Sequence, residues 1–352
     1  MNPRRWFGDL SITSRTMSRY QWTARSLKLL NGYSPFPLHI DVMLTLRCNL
    51  ACKICVERKP EFRDFLAPYW EPEMPLEKWK DIIRDMNKSF FKPNLHIQGG
   101  EIGMYEGYLE LTAFAKQLGF RCTYVTNGTS LARDAAEIVS MGVNVILVSI
   151  DGPRQVHDSI RGPGVFDAAV QGIRAINEQK RVQGKKKPQV FVNCAINPYN
   201  QHILASYIDT VKEWDVNYIT YLHYLFPDSE MDTHNIDVEH LVAEMGRIQT
   251  KAAQNNIKVN YYPHLKVDQV AAYYLQPGDQ VGQNCLSPWL RMIITPNGKV
   301  ISCKSFVIGD LNAEGATVRG IWNDERFRAF RKKLARNNLL PGCGRCCRKR
   351  YH

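Results

Sequence analysis

Six short apolar runs recur through residues 38–225, each separated from the next by an amphipathic stretch. They are LHIDVMLTL (38–46), NLHIQ (94–98), RCTYVTN (121–127), VNVILVSID (143–151), QVFVNCAIN (189–197) and NYITYLHYL (217–225). Turn residues bound the runs, the pattern of strands buried within a sheet. The intervening stretches 76–90, 105–119, 130–142, 166–180 and 202–214 carry apolar residues at helical spacing. Strand–helix alternation implies parallel strands joined by right-handed crossovers. Six such units fall short of a closed eight-fold barrel, so the predicted α/β fold is either an open partial barrel or a doubly wound sheet. In both, the active site lies at the C-terminal ends of the strands.

The residues following those ends carry the chemistry. After the first run, Cys48, Cys52 and Cys55 fall within eight positions, with no fourth cysteine or histidine nearby. Ten cysteines in 352 residues are too few for a disulfide scaffold. The N-terminus has no apolar signal run and no stretch reaches membrane-spanning length, so a reducing cytoplasm is expected, where grouped thiols point to metal or redox chemistry. A cubane iron–sulfur cluster held by three thiolates leaves one iron open, as a catalytic site requires. After the second run, Gly99 and Gly100 allow close backbone approach and Glu101 offers a carboxylate to an ammonium group. After the fourth, Ser149 and Asp151 can bond sugar hydroxyls and Arg161 can grip a carboxylate. An ammonium, a ribose and a carboxylate are the polar handles of S-adenosylmethionine (SAM).

This constellation resembles the radical SAM superfamily. Cys48-Asn-Leu-Ala-Cys52-Lys-Ile-Cys55 matches its CxxxCxxC cluster loop, Gly99-Gly100-Glu101 its GGE motif, and VTNGT (125–129), with Thr126 and Asn127, its third-strand motif. Ser149, Asp151 and Arg161 fall where the family contacts ribose and methionine carboxylate. Ile54 departs from the aromatic residue usual before the last cysteine; the adenine contact there is a backbone one. The resemblance covers about residues 36–230 and implies a six-stranded partial (β/α)6 TIM-like barrel, a SAM-binding [4Fe–4S] cluster, and SAM as cofactor.

The C-terminal third holds a second cysteine group. Cys285 and Cys303 flank a hairpin expected to turn at Pro296-Asn297-Gly298, and Cys343 and Cys346 form a CxxC pair, with Cys347 able to replace Cys346. By spacing alone this reads as a structural zinc site. Beside the barrel it resembles the SPASM/twitch extension, a small domain of β-hairpin plus helix, here with one auxiliary [4Fe–4S] cluster. The expected division is an N-terminal basic and aromatic extension (1–35), a core barrel (36–235), a helical linker (236–280) and the auxiliary domain (281–352).

His223, Asp228 and Glu230, on and beyond the sixth strand, are candidate proton acceptors, with His223 equally readable as a core histidine. Cys122 and Cys194 read as core residues. The net charge of +12 fits an anionic substrate or a peripheral membrane contact. No zinc-finger, helix-turn-helix or RNA-recognition pattern accompanies it, which argues against nucleic acid. The resemblance implies an oxidoreductase or epimerase of a small or lipid-linked metabolite, served by a flavodoxin- or ferredoxin-type reductant. The alternatives are a peptide-modifying enzyme and a non-catalytic iron–sulfur or zinc protein.

Overall fold

All six apolar runs are strands, and they lie side by side in chain order. β1 (His39–Met43), β2 (Asn94–Gln98), β3 (Arg121–Thr126), β4 (Val145–Ser149), β5 (Gln189–Ile196) and β6 (Tyr218–His223) pair in parallel, each with the next. The structure is a computed structural model that describes residues 31–58, 67–69, 71–223, 236–263, 265, 267–275, 283–303, 306–337 and 350–351. A seventh parallel strand, β7 (Lys258–Tyr262), extends the sheet beyond β6. It lies in the stretch expected to be a helical linker, after the helix Val238–Gln254.

On the other side, β1 pairs in parallel with β9 (Arg291–Ile294). β9 turns through Pro296-Asn297-Gly298 into β10 (Lys299–Cys303), which pairs antiparallel with β11 (Phe306–Asp310). The resulting ten-stranded sheet runs β11-β10-β9-β1-β2-β3-β4-β5-β6-β7 and does not close, the open form expected of a partial barrel. A two-residue strand β8 (Gln283–Asn284) pairs separately with β12 (Arg350–Tyr351). The C-terminal hairpin is therefore continuous with the sheet through β1.

Period-two alternation gives the sheet two distinct faces. Ile40, Val42, Leu95, Ile97, Tyr124, Ile146, Val148, Val192 and Tyr221 join the large core shared with the helices. Cys122 and Cys194 are fully buried in that core, and burial pushes the Cys122 thiol up to about 12. The alternate residues Val145, Leu147, Phe191 and Tyr218 form a separate apolar cluster on the opposite, concave face.

Four of the expected helices form over Leu76–Asn87, Tyr108–Gln117, Leu131–Met141 and Val165–Val182. The expected helix at 202–214 shrinks to Tyr207–Val211 plus a 3-10 turn at Lys212–Trp214. The segment after β4 contains a helix absent from the sequence reading, Arg154–Arg161, which buries only His157 and Ile160. Apolar content that low leaves little periodic signal.

The C-terminal helices Val318–Trp322 and Glu325–Asn337 clasp the chain just before β1. Arg331 is fully buried and donates to the carbonyls of Pro288 (2.8 Å) and Gly32 (3.2 Å) and to Asn323 Oδ1 (3.0 Å). Its guanidinium also lies over the rings of Trp322 and Phe327, at 4.2 and 3.8 Å from their centroids. Asn323 bonds the backbone of Ser34, and Trp322 donates to the Pro35 carbonyl. Arg331→Ala leaves those carbonyls unpartnered and opens a cavity between two rings, a loss of about 3 kcal/mol. Chemical denaturation measures it, and a loss below about 0.5 kcal/mol, the scale of a neutral surface change, would contradict this clasp.

Candidate active site

The cysteine loop leaves the end of β1 and is held against the end of β2 by backbone alone. Gly100 N–H donates to the Thr45 carbonyl (2.8 Å) and Glu101 N–H to the Arg47 carbonyl (2.9 Å). A Cβ on Gly99 would collide with the Thr45 carbonyl oxygen, and one on Gly100 with the carbonyls of Leu46 and Arg47. Gly99 also sits at φ +150, a conformation L side chains rarely adopt. The glycines that were expected to admit a ligand thus admit the cysteine loop itself.

Glu101 is buried, and its carboxylate secures the next strand end. Oε1 accepts from Thr126 Oγ1 (2.6 Å) and Oε2 from Asn127 N–H (2.7 Å). Burial raises its pKa, and the bonds from Thr126 and Asn127 oppose the rise. Asn127 Nδ2 donates to Asn49 Oδ1 (2.9 Å) and lies 4.0 Å from Cys48 Sγ. Asn49 in turn donates to Thr129 (3.0 Å), so the loop, GGE and VTNGT form one network.

Asp151 and Arg161 meet across the helix Arg154–Arg161. Arg161 Nε donates to Asp151 Oδ2 (2.6 Å), and its Nη1 lies 4.0 Å from Cys52 Sγ. Asp151 Oδ1 accepts from Ala195 N–H (2.9 Å), so both carboxylate oxygens are engaged by protein donors. Asp151, expected at a sugar hydroxyl, also aims Arg161. Ser149 stands in register with Asn193 on β5, and both are half-buried on the concave face. Ile54 packs with Ile160 and Ala195, and the neighbouring Lys53 N–H donates to the Ile160 carbonyl (2.9 Å).

Burial raises all three thiols, Cys55 to about 11, while Arg161 pulls Cys52 partly back. Holding three thiolates here calls for added positive charge, which metal ions supply. Among the described residues no three His, Cys, Asp or Glu side chains converge as a single ion would need. A cubane, in which each thiolate binds a different iron, needs the three thiolates gathered around it but farther apart than on one ion. The donor set fits a cluster better than a lone metal.

His223 does not reach this site. The register of β6 puts it, with Ile219 and Tyr221, on the helix-facing side, where it is fully buried. Its Nδ1 bonds Tyr274 Oη (3.0 Å) and its ring stacks on Tyr261, while burial lowers its pKa to about 3. It is a neutral core histidine, which corrects its candidacy as proton acceptor. Asp228 and Glu230 lie outside the described residues. Of the cysteines expected to hold the auxiliary cluster, Cys285 precedes the short helix Ser287–Leu290 and Cys303 closes β10. Cys343, Cys346 and Cys347 lie outside the described residues.

Sequence reasoning missed Arg47 and Glu73. Arg47, beside Cys48, donates to Glu73 through Nε (3.1 Å) and Nη2 (2.9 Å), and Thr45 Oγ1 bonds the same carboxylate. The next residue, Met74, donates to the Pro296 carbonyl in the β9–β10 turn (2.7 Å). The loop that leaves the cysteines thus returns to grip both their flank and the C-terminal hairpin. Two residues 26 positions apart leave no local signal.

Residues 42–185 match the radical SAM superfamily, and residues 285–347 match the SPASM iron–sulfur cluster-binding domain. The chain therefore carries a radical SAM domain followed by a SPASM domain. Its cofactors are accordingly a [4Fe–4S] cluster, SAM and auxiliary iron–sulfur binding in the SPASM domain. It is 30% identical over 200 residues to the Fe-coproporphyrin III synthase of Methanosarcina barkeri (strain Fusaro / DSM 804), which covers 56% of this chain and 47% of that protein. It is 24% identical to the antilisterial bacteriocin subtilosin biosynthesis protein AlbA of Bacillus subtilis (strain 168), over 79% of this chain and 58% of that one. The chain thus spans about half the length of these curated relatives. Its fold resembles SuiB of Streptococcus suis bound to S-adenosylmethionine, with a TM-score of 0.61 at 16% identity, over 90% of this chain and 72% of that one. Among the described residues no helix is long and apolar enough to cross a membrane.

If Asp151 aims Arg161, then Asp151→Ala weakens SAM binding nearly as much as Arg161→Ala, by about tenfold or more for loss of a charge-assisted contact. Calorimetry on anaerobically reconstituted protein tests this. SAM affinity unchanged in Asp151→Ala but lowered in Arg161→Ala would contradict the positioning role.

Proposed function

We infer that this radical SAM enzyme acts as an oxidoreductase or epimerase on a small or lipid-linked metabolite, with a carboxylated tetrapyrrole as the favoured class. The observation carrying the cofactor roles is the meeting of the Cys48/Cys52/Cys55 loop, the Glu101 network and the Asp151–Arg161 pair at one end of one sheet. The substrate class is supported by the Fe-coproporphyrin III synthase relative.

Cys48, Cys52 and Cys55 hold the cluster, with Asn127 and Arg161 approaching two of the sulfurs. Glu101, fixed by Thr126 and Asn127, faces the SAM ammonium, and Arg161 takes the carboxylate. Ser149 and Asn193 meet ribose hydroxyls, and the backbone at Ile54 meets adenine. When bound, cluster and SAM together supply a 5′-deoxyadenosyl radical able to remove hydrogen from an unactivated carbon. The apolar cluster of Val145, Leu147, Phe191 and Tyr218 keeps water from the concave face, where stray hydrogen donors would quench that chemistry. Cys285, Cys303, Cys343 and Cys346 would hold one auxiliary [4Fe–4S] cluster, which would supply an acceptor for the substrate electron. Asp228 or Glu230 remains the proton acceptor, and a flavodoxin- or ferredoxin-type protein in the cytoplasm supplies electrons.

A second reading, peptide modification, is favoured by the subtilosin biosynthesis relative. Deuterium distinguishes the two, since label moves into 5′-deoxyadenosine only from the true substrate.

Reconstituted protein given SAM and dithionite is expected to release 5′-deoxyadenosine and methionine in equal amounts. The Cys48/Cys52/Cys55 triple alanine variant should release neither. Cys343→Ala with Cys346→Ala should still cleave SAM while forming no oxidised product. Oxidised product at the wild-type rate from that folded double variant would overturn the oxidoreductase assignment.

A further inference from the structure

A second polar cluster lies on the concave face, away from the cysteine loop. Asp41 on β1 alternates with Ile40 and Val42, which face the helices, so its carboxylate is turned to the other side, where it is fully buried. Arg291 on β9 is paired in register with His39 and reaches it from the neighbouring strand. Arg291 Nε donates to Asp41 Oδ2 (2.6 Å), and Nη2 donates to Asp41 Oδ1. The same Nη2 lies 3.4 Å from His96 Nδ1 on β2, and His96 Nε2 lies 3.2 Å from His39 Nδ1.

The chemistry of arginine sets the direction of this chain. A guanidinium only donates, so His96 Nδ1 accepts and its proton sits on Nε2. His96 then donates to His39 Nδ1. Asp41 holds one edge of the fork and His96 takes the remaining Nη2 proton. The two N–H groups of Nη1 find no partner among the described residues, and the Arg291 side chain is 22% exposed. An ion pair buried for stability alone gains little over an apolar pair. A guanidinium locked in orientation with a donor edge left over is built to receive an acceptor.

We propose that Arg291, braced by Asp41 and His96, anchors a carboxylate of the substrate on the concave face. His96 lies three residues before Gly99, about 10 Å along β2 at the usual rise per residue. A carboxylate held there leaves the rest of a large planar molecule within reach of the cofactor end of the sheet. This site rests on the tetrapyrrole reading above, since coproporphyrin carries four carboxylates. It also assigns the SPASM-side strand β9 a direct part in substrate recognition.

The test compares coproporphyrin III with its tetramethyl ester, both in the same mild detergent, by quenching of tryptophan fluorescence in the reconstituted full chain. Wild-type protein is expected to bind the acid at least tenfold more tightly than the ester. Arg291→Lys, which keeps the charge and loses the fork, should lower acid affinity at least tenfold and ester affinity less than threefold. The double variant Asp41→Asn with Arg291→Gln keeps a hydrogen-bonded pair without charge, and should likewise lose the preference even if Arg291→Lys folds poorly. A merely structural Arg291 would lower the melting temperature and leave the acid-to-ester ratio intact, which overturns the proposal. Equal wild-type affinity for acid and ester overturns it too, while sparing the tetrapyrrole reading. If neither porphyrin binds, that reading falls. The anchor then survives only if succinate shifts the His96 and His39 imidazole resonances saturably in wild type and not in Arg291→Lys.

Discussion

Everything at the active end of the sheet depends on how closely two backbones approach at Gly99 and Gly100. The β1–β2 ladder does not stop at the strand ends; it continues into the cysteine loop through the carbonyls of Thr45 and Arg47. No side chain fits between them. A loop of three cysteines that would otherwise be free to wander is thereby given a fixed starting point. The same contact sets Glu101 immediately behind it, where its carboxylate can tie down the end of β3.

From that contact the polar groups divide the work. Glu101 and Asp151 are both buried carboxylates, and both spend hydrogen bonds on protein donors. Asp151 orients a cation beside Cys52, whereas Glu101 orders the neutral amide network beside Cys48. On the outer flank, Glu73 performs a similar duty for Arg47, and its neighbour Met74 passes the connection to the β9–β10 turn. The cysteine loop and the C-terminal hairpin are thus linked twice, through β1 pairing with β9 and through this returning loop. Such bracing is what a site needs when its chemistry depends on holding groups within fractions of an ångström.

What the sequence disclosed follows from where each element is buried. Six strands were legible because both of their faces are largely covered, so they read as continuous apolar runs. β7 was not legible because it is the sheet edge, with Lys258 and Tyr262 exposed and only Tyr261 buried. The helix Arg154–Arg161 escaped notice because two buried residues set no period. The cysteine, GGE and VTNGT motifs were legible because spacing alone carries them. The role of Asp151 was not, since it depends on a partner ten residues away across a helix that was not foreseen. His223 shows a third kind of limit. In YITYLH both parities carry apolar or aromatic residues, so only the register of β6 decides that His223 faces the helices.

The central claim is that one cysteine loop, the Glu101 network and the Asp151–Arg161 pair form a single site in which SAM meets an iron–sulfur cluster directly. Electron paramagnetic resonance of the reduced, reconstituted protein tests it most directly, using the Cys343→Ala/Cys346→Ala protein to remove the auxiliary signal. Adding SAM should change the g values of the remaining cluster, and the Arg161→Ala substitution in that background should require far more SAM for the same change. A spectrum indifferent to saturating SAM would contradict the account.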